Sequence, residues 1–201
     1  HPAERSPSEA LASVLGSTTQ RIAAVDTQWL EAAGPPWTVS PHPDLVRLDH
    51  GPAHGDWGAW YAWLDAGVAL PPTGPLTWAR VDDLDRYAQV DFERALLSGD
   101  VVAGTGALLR LTVDGSRPGE VAEAHWGPHL VRAEVVGDEV FDHVALIGDG
   151  GQEVATFEPA VELDVLRQVT WDGRWLVLAA WNNDDDDHSW AVTGPVWTGP
   201  P

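Results

Sequence analysis

The chain has 201 residues, with 31 Asp plus Glu against 11 cationic side chains, 12 Trp, no Cys, no Met and a formal net charge of −20. Every cation is Arg, so lysine chemistry, thiol nucleophiles, thiolate metal sites and disulfides are excluded. So acidic a chain is repelled by phosphate backbones and anionic lipid, and no apolar run approaches the ~18–20 residues of a membrane span.

An apolar share of 44% suits a folded protein, and the length suits a single domain over 1–201. The absence of Lys and Met beside abundant Ala, Gly, Val and Asp looks like the coding bias of a GC-rich bacterial genome. A chain that starts at His1 is expected to have lost its natural start, and the cysteine count fits a cytoplasmic or an extracytoplasmic setting equally.

The first predicted element is an amphipathic helix. Ser6-Pro7-Ser8-Glu9 can cap it, apolar residues recur every three or four positions from Leu11 to Leu30, and Gly34-Pro35-Pro36 ends it. Residues 34–55 and 71–75 read as Pro/Gly loops. Between them Trp57, Trp60, Tyr61 and Leu64 mark a short helix, capped by Asp56 and stopped by Gly67, and a further helix is expected over 82–98.

From Asp100 the period changes to two. Strands are expected over 107–113, 130–136, 140–147, 161–171, 174–181 and 189–197, with turns at Asp114-Gly115, Gly137-Asp138 and 148–151. Asp172-Gly173 lies between two alternating runs, which predicts a type I′ hairpin pairing 161–171 with 174–181. Both faces of that hairpin are apolar, so its sheet should be covered on both sides. The fold class is therefore α+β, with N-terminal helices packed on a curved antiparallel sheet built by the C-terminal half.

This order of elements over 82–197, and the Asp-Gly-Arg-Trp-Leu-Val-Leu run at 172–178, resembles the NTF2-like superfamily, with 34–80 as an insertion. The resemblance implies helices seated in the concavity of a bent sheet. It also implies a cone-shaped pocket in which His or Asp serves as an acid or base among aromatics. His143, within a predicted strand between Phe141 and Ala145, is the expected pocket-facing base.

His50 and His54 stand four apart, as do His125 and His129, and would form a metal site if the pairs met with a carboxylate. Each pair encloses Gly-Pro, which excludes a regular helix. His1 could chelate copper only with partners the chain does not supply. The run 182–188 offers oxygen ligands, yet lacks the Gly and distal Glu of a calcium loop and reads as a solvated connection. Among the indoles, Trp126, Trp171 and Trp181 are candidates for stacking a ligand, although Trp171 and Trp181 fall on opposite hairpin faces. No nucleophile elbow, P-loop or dinucleotide motif is present, and no cofactor is assigned.

Three functions follow from these residues. The first is a noncatalytic binding domain whose acidic surface meets a basic protein, in the manner of an immunity protein or inhibitor. The second is an NTF2-like enzyme or binding protein for a small molecule. The third is a metal-dependent protein using the four paired histidines. The oligomeric state is not legible.

Overall fold

The computed structural model describes residues 24–36, 43–52, 57–80, 89–123, 127–183 and 189–199. Its organising element is β11 (Trp175–Trp181), seven consecutive buried residues. Side chains alternate along a strand, so an unbroken apolar run needs a core on each face. Trp175, Val177, Ala179 and Trp181 enter one core, while Leu176, Leu178 and Ala180 enter another. The expectation of a sheet covered on both sides is met here.

The central sheet runs β4 (Leu76–Ala79), β5 (Val101–Gly104), β12 (Trp190–Thr193), β11, β8 (His143–Gly148) and β9 (Gln152–Phe157). β13 (Val196–Trp197) also pairs with β11. All pairings in this sheet are antiparallel. On its first face lie α1 (Thr27–Ala33) and α2 (Gly58–Asp65), with residues of a small parallel sheet of β1 (Ala24–Asp26), β2 (Leu45–Arg47) and β3 (Pro72–Thr73). On its second face lies a three-stranded antiparallel sheet ordered β10 (Ala160–Trp171), β7 (Gly127–Phe141) and β6 (Ala107–Val113). α3 (Gln89–Ser98) precedes β5. The class is thus mixed α and β.

Local chemistry explains the borders. The Asp26 carboxylate accepts from the Trp29 N–H at 2.7 Å, which caps α1, and Gly34 ends that helix at φ +73°. Asp114 and Gly115 both have positive φ, and Val113 and Ser116 exchange two 2.9 Å backbone bonds across them. That is the expected tight turn, of type I′.

Several expectations are corrected. Val25 lies in a strand, so the helix expected up to Leu30 does not run through 24–26; its part over 1–23 lies outside the described residues. Of the helix expected over 82–98, 89–98 is observed and 81–88 lies outside. The two Pro/Gly loops contain β2 and β3. The Gly137-Asp138 turn is absent, because β7 continues to Phe141 and the chain changes sheets at Asp142. The final strand is divided at Gly194-Pro195.

The largest correction concerns Asp172-Gly173. β10 pairs with β7, and β11 pairs with β8, β12 and β13, so the two halves of the expected hairpin belong to different sheets. Gly173 is not among the positive-φ glycines, and the segment is a crossover between layers. The two strands also differ in burial. β11 is buried throughout, whereas β10 exposes Val161, Glu162, Asp164, Leu166, Arg167 and Gln168.

Candidate functional site

Tryptophan is concentrated in the first core. Trp57, Trp60, Trp63, Trp175, Trp181, Trp190 and Trp197 are all buried there. Each indole removes roughly 150–250 Å² from water, worth on the order of 4–6 kcal/mol before entropy. Tyr61 stacks on Trp175 with ring centroids 5.5 Å apart, and Trp57 meets Trp190 edge-on at 5.7 Å. Indole N–H groups find acceptors in the His50, Leu70 and Gly34 carbonyls and in the Asp65 carboxylate, the last at 2.9 Å from Trp175 Nε1. Burial pushes the Tyr61 phenol far above its ordinary pKa, and the Glu153 charge adds to it. Its hydroxyl has no hydrogen-bond partner among the described residues.

Two of the expected ligand-stacking indoles lie among the described residues. Trp181 is 7% exposed in the core, and Trp171 is half-buried against Gly148 and Gly173. Trp126 lies outside the described residues.

The histidines are similarly separated. His143, expected to face a pocket, is exposed at the start of β8, where its ring lies flat on Trp181 at 5.2 Å and Nε2 contacts the Asn183 amide. It lines neither the cleft between α1 and α2 nor the one beside β6. His129 is buried on the second-core side, with Nδ1 2.6 Å from Asp114 Oδ2. His50 is exposed beside Gly51, which packs under Trp190 on the first-core side. The central sheet thus stands between the two described members of the expected metal site, and His54 and His125 lie outside the described residues. Among the described residues no three His, Asp or Glu groups are placed to share a metal ion.

Two clefts remain. The smaller, about 370 Å³, is mainly apolar and lies between α1 and α2 around Leu30, Pro35, Ala59 and Trp63. The larger, about 580 Å³, opens where the three-stranded sheet stops short of the seven-stranded one. Trp78, Val102 and Thr193 of the central sheet form one side, and β6 from Leu108 to Thr112 forms the other.

This cleft reverses the charge of the molecule. Arg80, Arg110, Arg117 and Arg132 line it against the carboxylates of Asp100 and Glu134. Four of the chain's 11 cations thus gather at one place in a protein of net charge −20. Arg110 Nη1 lies 3.2 Å from Glu134 Oε2, and Arg132 Nε lies 2.9 Å from Glu134 Oε1. Arg132 also grips Asp164 with two bonds of 2.9 and 3.0 Å. These bonds raise the Arg132 pKa and hold the Asp164 carboxyl below its usual range, although both groups are open to solvent. The Arg117 guanidinium makes no ion pair among the described residues. Sequence reasoning missed this cleft because its arginines are scattered over some fifty positions and form no motif.

No protein-family model matches the chain, and neither a curated protein nor a solved structure matches it.

Proposed function

We propose that the chain is a noncatalytic binding domain that holds a partner protein in the cleft beside β6. The observation that carries this reading is the open edge of β6. Among the described residues that strand pairs only with β7, and it presents its other edge to a cleft with apolar and cationic walls. An unpaired edge is a ready template for another chain. The other edge of this sheet, β10, carries Glu162, Asp164 and Arg167, charges of the kind that guard an edge against pairing.

The acidic bulk of the surface still favours approach by a basic protein, as the composition implies, and would act at long range. The cleft supplies the short-range contact.

A photoreactive amino acid at Leu108, which is 37% exposed beside the cleft, tests the reading against the same group at Val161 on β10. The expected result is a protein cross-linked from position 108 alone, displaced by excess unlabelled domain and lost in Arg110→Glu. Identical capture from both positions would overturn it.

A further inference from the structure

We infer that the cleft receives an extended acidic segment of the partner, which adds a fourth strand to the outer sheet along β6. This rests on the protein-binding reading above and specifies the conformation and charge of the occupant.

The first observation is the direction of the β6 backbone. The Asp114 N–H donates to the Leu130 carbonyl, and the β6–β7 register makes these two residues opposite neighbours. Antiparallel pairs alternate between bonded and non-bonded, so Leu108, Arg110 and Thr112 bond to β7. The N–H and C=O groups of Leu109 and Leu111 then point away from β7. Their side chains are 2% exposed, so only their backbone faces the cleft. Five consecutive β6 residues, with side chains on both faces, line the space, which places it along the edge of the strand.

The second observation is what an added strand would cover. Seven central strands face three outer ones, and Trp78 is left half-buried where a fourth would lie. The added strand would turn alternate side chains toward Trp78 and Val102, and the others outward beside Arg110. The fitting segment therefore alternates apolar and acidic residues.

Charge sets the class of partner. A second copy paired antiparallel through its own β6, with Leu109 opposite Leu111, would bring Arg110 against its counterpart, which opposes self-association in that register. An acidic strand is attracted to the same guanidinium groups.

The test uses a synthetic peptide of about ten residues alternating Glu and Val. Two analogues carry backbone N-methyl groups on the even or the odd positions. The expected result is binding by the parent peptide and a loss of about tenfold or more with only one methylated set, because only one set of N–H groups can face β6. Amide exchange at Leu109 and Leu111 should slow on binding. Arg110→Glu with Arg117→Glu should weaken affinity about tenfold, and Arg47→Glu, on the parallel sheet, should leave it unchanged. Circular dichroism shows that each variant is folded, and Arg117→Gln alone should give an intermediate loss.

Equal binding by all three peptides would mean attraction by charge alone and would overturn strand addition. Slow exchange at Leu109 and Leu111 in the free protein would show the edge already covered by its own chain, with the same consequence. If the peptide fails while position 108 still cross-links a protein, the acidic strand is wrong and the binding reading stands. If both fail, both are wrong.

Discussion

The Trp171 indole lies over the α-carbon of Gly173, in the space that a β-carbon would occupy. The same ring covers Gly148, so one side chain closes the crossover between the outer and central sheets over two residues without side chains. Gly173→Val must therefore displace a half-buried indole, and we expect a loss of about 1–3 kcal/mol by thermal or denaturant melting. Gly58→Ala is the control, since a β-carbon there meets nothing within 4 Å, and it should melt within about 0.5 kcal/mol of the parent. Equal effects from the two would refute the steric account.

Asp114 does three things at once. It adopts φ +52°, accepts from the Leu130 N–H at 2.8 Å, and faces buried His129 at 2.6 Å. Asp114→Ala should cost about 1–3 kcal/mol, since it removes an acceptor from a buried imidazole and places Ala in left-handed backbone. Asp114→Asn should recover most of that loss, because Asn tolerates the same conformation and retains an oxygen. Chemical denaturation of both variants measures the difference, and equal losses would exclude the hydrogen-bonding role.

The Asp65 carboxylate ties the end of α2 to the central sheet, accepting from Trp175 Nε1 at 2.9 Å and from the Gly150 N–H at 3.0 Å. Asp65→Ala leaves both donors without this partner, and a loss of about 1–3 kcal/mol is expected from melting. A variant as stable as the parent would show that water replaces the carboxylate at no cost.

Tyr61 predicts an alkaline transition. Its folded pKa is raised above the unfolded value of ~10, so below that pH the phenol is protonated in both states and its full contribution is present. As pH rises past ~10 the unfolded chain loses the proton first, and stability falls. Tyr61→Phe should remove this contribution to the alkaline slope. At neutral pH it should leave stability within about 1 kcal/mol or raise it, because the hydroxyl it deletes has no partner among the described residues. Urea melts between about pH 7 and 11 test both parts, and an unchanged alkaline slope would count against a buried phenol.

The fold was partly legible. Seven apolar residues in succession at 175–181 announce a strand with a core on each face, and Asp114-Gly115 announces its turn. Asp172-Gly173 carries the same local signal but has a different outcome. The decisive difference lies in the flanking strands: 161–171 mixes exposed Leu166 and Val161 with charges, while 175–181 has no solvent face. The parallel strands could not be read, since β2 and β3 have three and two residues and leave no period. The cleft was hidden for another reason: Arg80, Arg110, Arg117 and Arg132 converge only through strand order.

The layered arrangement governs what spectroscopy can see. Among the described residues, all seven buried indoles belong to the core between the central sheet and the helices. The opposite core is filled by aliphatic side chains, Ala and Phe141. Intrinsic emission from those indoles therefore reports one side of the molecule. Loosening of the outer sheet, with its open β6 edge, would reach a fluorescence melt mainly through the half-buried Trp78 and Trp171. Amide exchange at Val131 and Val135, on β7, follows that sheet directly. Loss of their protection at a lower denaturant concentration than the fluorescence midpoint would be the signature of two layers that part company before the protein unfolds.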